Sequence, residues 1–240
     1  MTKIRLDIAL TKQGIASTRS QAESWIRLGK VTVDGKSVTK PGFFVSDTAR
    51  LKLEADEQYV SRAGLKLASV AKLLGLRFDD ALVLDVGSST GGFTDYALQH
   101  GARKVLAIDV GTEQLHPSLR DNSKIELHEK TDIREFFSEE KPDIIVIDVS
   151  FISLREILPH LAKNLCGPNT RIAAMLKPQF EAGKDQTNKG VIKNDAVRRQ
   201  ILKEFETWAK RYFVILDKRD SEIAGSKGNR ERFYLLKVVR

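Results

Sequence analysis

Asp85-Val-Gly-Ser-Ser-Thr-Gly-Gly92 closes the apolar run Ala81–Val86 and opens the helical pattern Gly92–His100. A strand, a glycine turn and a helix in that order let the backbone turn tightly at the carboxyl end of a strand and approach a bound group closely. Further strand-like runs follow at Lys104–Val110, Ile125–Glu129, Ile144–Val149, Arg171–Lys177, Tyr212–Lys218 and Arg232–Val239. Helical patterns fill most of the gaps, notably Ser153–Leu165 and Asp195–Lys210. Such alternation predicts an α/β, Rossmann-like fold built on a seven-stranded, mostly parallel sheet with both faces covered. The loop joining the last two runs is too short for a crossover helix, so the final strand is expected to run antiparallel.

The residues around the turn narrow the ligand. Asp109 closes the second strand, where an acid can accept both hydroxyls of a ribose. A dinucleotide fingerprint would need glycine at position 89, which is Ser89. Asp85, inside the strand end, suits a cofactor with no pyrophosphate and a cationic amino-acid tail. Asp132, after the third strand, can accept from an adenine amino group. The expected cofactor is therefore S-adenosyl-L-methionine. Its candidate contacts are Asp85, Gly87, Ser88, Ser89, Thr90, Gly91, Gly92, Phe93, Asp109, Asp132 and Asp148.

Upstream of this domain the pattern changes. Leu6, Ala9 and Leu10 share one helical face, and Gly14 ends that helix. Thr18-Arg19-Ser20-Gln21 fits a capping box, with Thr18 and Gln21 exchanging bonds with free N–H groups. The helix it starts carries Ala22, Trp25, Ile26 and Leu28 inward and stops at Gly29. Val31-Thr32-Val33 then alternates like a strand before Asp34-Gly35, a type I′ hairpin signal. The expected organisation is a small α+β module at residues 1–57, a linker at 58–62 and the α/β domain at 63–240.

Composition sets the class of partner. In 240 residues, 40 Lys and Arg against 32 Asp and Glu leave a net charge of +8, an excess that draws polyanions, nucleic acid above all. Arg19, Arg27, Lys30 and Lys36 cluster at the second helix and hairpin of the first module. Cys166 is the one cysteine, so no internal disulfide framework exists. No apolar run suits a signal peptide, and none approaches the ~20 residues needed to span a bilayer, so a cytoplasmic protein without membrane insertion is expected.

The run Gly14-Ile-Ala-Ser-Thr-Arg-Ser-Gln-Ala22, continued by Ile26-Arg-Leu-Gly-Lys-Val-Thr-Val-Asp-Gly-Lys36, resembles the S4 RNA-binding domain. The resemblance implies a basic helix face that binds structured RNA, and it carries that role to Arg19, Arg27 and Lys30, with Lys36 beside them. In the second domain Asp148 and Lys177 end the fourth and fifth strands. Glu231 starts the antiparallel last strand, and Lys66 precedes the first, so all four can reach one sheet edge. Lys66, Asp148, Lys177 and Glu231, in that order, resemble the tetrad of ribose 2′-O-methyltransferases of the RrmJ/FtsJ type. Further motifs are Ser61-Arg-Ala-Gly-Leu-Lys-Leu67, Ser89-Thr-Gly-Gly-Phe-Thr94, Asp148-Val-Ser-Phe-Ile-Ser-Leu154 and Lys177-Pro-Gln-Phe-Glu181. With these the chain is identified as a member of the TlyA (hemolysin A) family over essentially its full length.

That resemblance implies methylation of cytidine ribose 2′-hydroxyls in ribosomal RNA, with a ribosomal subunit or its RNA as partner. The methyl donor is already activated and a ribose hydroxyl is a poor nucleophile. The protein therefore has chiefly to position the two and to provide a base. Lys177 is the expected activating group, oriented with Lys66 by Asp148 and Glu231; no metal is required. Arg62 and Phe180 are further candidate RNA contacts, Phe180 by stacking on a base. Lys184, Lys189 and Lys193 in the polar loop 181–195 are candidate phosphate contacts.

Three other functions deserve weight. A pore-forming toxin would need a membrane-inserting segment. A pseudouridine synthase is suggested by Arg5-Leu6-Asp7, although that triplet lies inside the first module. A ribosome-binding protein without catalysis would have no use for four charged residues at one rim.

Overall fold

The computed structural model describes residues 3–239 apart from positions 17, 28, 55–58, 184–189, 193, 224, 226 and 227; the side chains of Ser20 and Ser24 are also outside it. Leu28, Lys184, Lys189 and Lys193 therefore lie outside the described residues. The chain divides into two compact units, Met1–Arg62 and Ala63–Arg240.

The first unit contains β1 (Lys3–Arg5), α1 (Leu6–Lys12), α2 (Arg19–Arg27), β2 (Val31–Val33), β3 (Lys36–Ser37), β4 (Phe44–Ser46) and β5 (Leu51–Leu53). β1 pairs antiparallel with β4, and β2 lies between β3 and β5. Leu6, Ala9 and Leu10 of α1 pack with Ala22, Trp25 and Ile26 of α2, all buried, as their helical spacing requires. Asp34 and Gly35 both adopt positive φ, at 51° and 79°, and join β2 to β3 in the expected tight hairpin. One bond of the capping box is present, and the Gln21 side chain also reaches beyond α2. Thr18 Oγ1 accepts from the Gln21 N–H at 3.1 Å, whereas the Gln21 side-chain amide donates to the Tyr59 carbonyl at 2.7 Å. That bond ties α2 to the chain 38 residues on.

The second unit holds α3 (Arg62–Ala71), β6 (Leu82–Val86), α4 (Gly92–Gln99), β7 (Lys104–Ile108), α5 (Pro117–Arg120), β8 (Ile125–His128), β9 (Ile144–Ile147), α6 (Leu154–His160), β10 (Arg171–Leu176), α7 (Pro178–Glu181), α8 (Asp195–Ala209), β11 (Phe213–Asp220) and β12 (Arg232–Val238). The seven strands form one sheet in the order β11-β12-β10-β9-β6-β7-β8. β12 runs antiparallel to both neighbours, and the five strands from β10 to β8 are parallel. This is the expected Rossmann-like sheet, with the last strand slotted between β10 and β11. Central β6 and β9 are buried at every residue, so they read as unbroken apolar runs; edge β11 alternates. The helical pattern Ser153–Leu165 is divided: α6 ends at His160 and a π-helical turn spans Leu161–Leu165. Pro159 inside α6 has no N–H to offer the Arg155 carbonyl, which favours a wider turn there.

Successive strands build outward from β6 to β8, and the chain then returns to β9 on the other side of β6. The crevice at this reversal is where open α/β sheets receive ligands. Val86 is in register with Ile108 and with Ile147, so Gly87, Asp109 and Asp148 leave the sheet at one level. Leu176 faces Arg232, which sets Lys177 and Glu231 on the next rung of the same edge.

Candidate active site

Beyond the ends of β6, β7 and β9 lies a cavity of about 380 Å³ lined by Gly87, Ser89, Asp109, Gln114, Asp132, Asp148 and the segment Val149–Ile152. A smaller cavity of about 140 Å³ is lined by Asp85, Ser88, Thr90, Phe93, Asp148, Ser150 and Lys177. Both include Gly87, Ser89, Asp148 and Ser150, so they are two ends of one cleft. The larger volume falls in the range of small-molecule sites.

The turn is shaped around this cleft. Gly87 has φ +79°, and a Cβ there would lie 2.8 Å from the Asp148 carbonyl oxygen. Gly91, at φ +86°, would place a Cβ 2.6 Å from methyls of both Leu115 and Leu119. The positive φ strains any other residue at both positions, and at Gly87 a Cβ would press on backbone. Ser89 sits at φ 46° without being glycine; its N–H donates to Asp109 Oδ2 at 2.8 Å and its hydroxyl to Gln114 Oε1 at 3.0 Å. Asp109 Oδ1 accepts from the Gly111 N–H at 2.7 Å. Asp109 is thus held by backbone donors at the cavity wall, with lone pairs left for ligand hydroxyls. Asp132 lines the same wall and already carries the Arg134 guanidinium on both oxygens, which holds its carboxyl below the usual range. A bound group would share Asp132 with that arginine.

Asp85 is wholly buried. Thr94 Oγ1 donates to its Oδ2 at 2.6 Å, while Oδ1, like Ser88 Oγ, has no hydrogen-bond partner among the described residues. Burial pushes this carboxyl up to about 7, and the negative charges of Asp148 and Asp109 act in the same direction. A buried polar atom without a partner costs about 1–3 kcal/mol, so Asp85 Oδ1 is an acceptor waiting for a donor, preferably a cation.

The four expected rim residues form two ion pairs. Lys177 Nζ lies 2.7 Å from Asp148 Oδ1 and donates to Ser150 Oγ at 2.7 Å. Lys66, carried by α3, and Glu231, just before β12, pair with each other and are almost fully buried. Breaking such a pair by removing one partner typically costs about 3–5 kcal/mol. Arg230 and Arg232, which flank Glu231 in sequence, hold Asp220 instead.

Two aromatic rings stand beside Lys177. Phe180 lies 5.1 Å from Phe151 between ring centroids, and Lys177 Nζ is 5.9 Å from the Phe180 ring. Phe151 is 91% exposed and has φ 67°. A bulky residue in left-handed backbone costs about 1–3 kcal/mol, and such strain concentrates at functional sites. Phe151 is not among the expected site residues. Its signal was an aromatic residue inside a polar turn, Ser150-Phe151-Ile152-Ser153, with no periodicity to bury it.

In the first unit Arg27, Lys30 and Lys36 are exposed, and Arg62 is half-buried. Arg19 is partly committed: its Nε donates to Asp7 Oδ2 at 2.9 Å. Asp7 is fully buried, takes the Arg5 guanidinium as well, and is held down to about 2. An acid so enclosed anchors two arginines and has no approach to a substrate, which removes the pseudouridine synthase reading of Arg5-Leu6-Asp7.

Among the described residues no group of three or more His, Cys, Asp or Glu could hold a metal ion, and no helix is long and apolar enough to cross a membrane. Comparison with known proteins decides the family. The model of the FtsJ-like methyltransferase family matches residues 59–238, and that of the S4 domain matches residues 4–51. The chain belongs to the FtsJ-like methyltransferase family. It is 39% identical to the 23S rRNA (cytidine-2′-O)-methyltransferase TlyA of Campylobacter jejuni, over 96% of this chain and 98% of that protein. It is 37% identical to hemolysin A of Brachyspira hyodysenteriae, over 95% and 97% of the two chains. A solved structure from Streptococcus thermophilus, described as a candidate hemolysin, is 38% identical with a TM-score of 0.73, covering 100% of this chain and 90% of that one. The FtsJ-like domain makes the chain a methyltransferase, and the TlyA resemblance read from its motifs extends over both units.

Proposed function

We propose that this methyltransferase uses S-adenosylmethionine to methylate a ribose 2′-hydroxyl in ribosomal RNA, cytidine being the favoured nucleoside. The observation that carries the reading is the pairing of Lys177 with Asp148 at the mouth of a cleft whose other wall holds Asp85 and Asp109. The residues fit the cofactor. Asp85 Oδ1 and Ser88 Oγ suit its ammonium and carboxylate end, Asp109 suits ribose hydroxyls, and the larger cavity suits the adenine, with Asp132 at its wall. Gly87 to Phe93 form the turn that admits it. Bound there, the cofactor supplies a methyl group already activated for transfer.

The chain's own residues do the rest. Lys177 accepts or orients the hydroxyl proton of the acceptor, Asp148 and Ser150 fix its Nζ, and the buried Lys66–Glu231 pair supports the adjoining rung. Phe151, exposed beside Phe180, offers a face on which an unstacked base can rest. The basic residues Arg19, Arg27, Lys30 and Lys36 of the S4 module, with Arg62, hold the RNA.

Transfer of labelled methyl from S-adenosylmethionine to ribosomal subunits, followed by mapping of 2′-O-methyl positions with and without the protein, tests the activity. The expected result is one or a few new cytidine 2′-O-methyls; label recovered on a base or on protein would overturn the reading. RNA affinity should also fall steeply with salt, because each phosphate neutralised by Arg or Lys releases counterions. A flat salt response in a filter-binding titration would exclude the basic face as the RNA contact. The hemolysin name of one relative supplies a second reading, membrane lysis. Lysis by purified Lys177→Ala protein would favour it.

A further inference from the structure

Two turns meet at the cleft, residues 148–154 after β9, which also line the larger cavity, and 177–181 after β10, and Lys177–Asp148 is only one of the bonds between them. Glu181, the last residue of α7, has a side chain only 2% exposed. Its Oε2 accepts from Ser153 Oγ at 2.6 Å and its Oε1 from the Leu154 N–H at 2.7 Å, with Arg155 Nε 3.5 Å away. Ser153 in turn caps α6, its Oγ accepting from the Arg155 N–H at 3.1 Å. Glu181 therefore takes up a free N–H at the start of α6 from 27 residues away in sequence.

Capping alone does not call for this residue. Ser153 already caps α6 locally, and burying a carboxylate is costly unless its lone pairs are used. What the long-range bonds add is a second seam parallel to the first. On one side of Phe151, Ser150 Oγ accepts from Lys177 Nζ; on the other side, Ser153 and Leu154 donate to Glu181. Phe151 lies between the seams in left-handed backbone, with its exposed ring against Phe180. A strained residue persists only where the flanking structure determines its conformation.

We propose that Glu181 is a positioning residue that clamps the 177–181 turn to the 148–154 turn, so that Lys177 and the Phe151–Phe180 pair face the acceptor nucleoside as one rigid unit. The proposal rests on the methyl-transfer reading above and identifies what orients its acceptor side.

The test compares Glu181→Ala with Glu181→Gln. Glutamine keeps an acceptor for the Leu154 N–H and can donate to Ser153 Oγ, so the clamp survives without its charge. Single-turnover methyl transfer to ribosomal RNA, calorimetric affinity for S-adenosylhomocysteine, and amide hydrogen exchange at Leu154 and Arg155 are measured on the full chain. In Glu181→Ala the transfer rate should fall about 10- to 100-fold, the penalty of misplacing reacting groups by about an ångström. S-adenosylhomocysteine affinity should fall far less than the rate, because Asp85, Asp109 and Asp132 are untouched, and the Leu154 amide should exchange faster. Glu181→Gln should resemble the parent protein in all three.

A parental rate in Glu181→Ala would overturn the proposal. So would a Glu181→Gln protein as impaired as Glu181→Ala, which would make the charge and not the clamp responsible. Parallel loss of S-adenosylhomocysteine affinity would also overturn it, by showing a collapse of the cofactor side. If the unmodified protein transfers no methyl to RNA, the functional reading fails on its own. The exchange measurement then still decides the clamp: protection lost in Glu181→Ala supports it, and unchanged protection overturns it.

Discussion

Replacing Lys177 by alanine should reduce methyl transfer at least about 100-fold, and as much as about 10,000-fold, the range that a positioned proton-transfer group contributes. Three contacts hold the side chain at once. Asp148 Oδ1 and Ser150 Oγ each lie 2.7 Å from Nζ, and the Phe180 ring closes a third side. Lys177 itself is absent from the lining of the larger cavity, which Asp109 and Asp132 share with Asp148 and Ser150, so S-adenosylhomocysteine should bind the variant almost as it binds the parent. Calorimetry paired with single-turnover kinetics makes the separation. Lys177→Arg sharpens it, because a guanidinium preserves charge and hydrogen bonding yet does not give up a proton at accessible pH. An arginine variant as inactive as alanine marks Lys177 as the base; substantial recovery marks it as an orienting cation. Substantial turnover in Lys177→Ala would remove Lys177 from the chemistry altogether.

The legibility of the sheet has a physical origin. β6 and β9 are covered on both faces, so every residue from Leu82 to Val86 and from Ile144 to Ile147 is buried, and an apolar run of that length has few alternatives. The antiparallel direction of β12 followed from loop length alone. Its insertion between β10 and β11 did not, because strand order depends on which edges remain open after folding. β1, β4 and β5 were illegible for a different reason. Three residues each, none buried throughout, cannot establish a period of two.

Within the site, residues at strand ends were legible because topology forces them to one rim. Asp85, Asp109, Asp148, Lys177 and Glu231 all sit within one residue of a strand terminus. Pairing was not legible. Nothing in the order Lys66, Asp148, Lys177, Glu231 says that the first joins the last in a buried pair. Residues that act through loop geometry were missed. Gln114 reaches Ser89 across the cavity and Glu181 reaches Ser153, and both bonds depend on turns whose shape no periodicity encodes. Arg19 shows the converse: a cationic residue marked for RNA also spends one N–H on buried Asp7.

Replacing Asp85 by asparagine should weaken S-adenosylhomocysteine binding about 10- to 100-fold, the worth of a charge-assisted bond of roughly 1.5–3 kcal/mol. It should also abolish a pH dependence that the parent protein has. Without ligand the Asp85 carboxyl titrates near 7, chiefly because burial disfavours its charge. In the proposed function Asp85 meets the cofactor's ammonium in its ionised form, so parental affinity should decline as pH falls below about 7 and level off above it. The effect on stability has the opposite sense. A folded-state value raised from the ordinary 3.8 means that the folded protein holds this proton more tightly than the unfolded chain. The resulting stabilisation is complete below about 3.8 and is lost as pH rises through about 7. At pH 8 the ligand-free protein carries a buried, half-satisfied carboxylate that lowers its stability by the same linkage. Asp85→Asn should therefore melt higher than the parent at pH 8, with a smaller gain at pH 5, while binding the ligand more weakly at pH 8. Equal affinity in the two proteins at pH 8, or a parental affinity flat from pH 6 to 8, would remove Asp85 from the ammonium site. A carboxylate that destabilises the empty fold and is needed when the cleft is filled is one kept for its ligand.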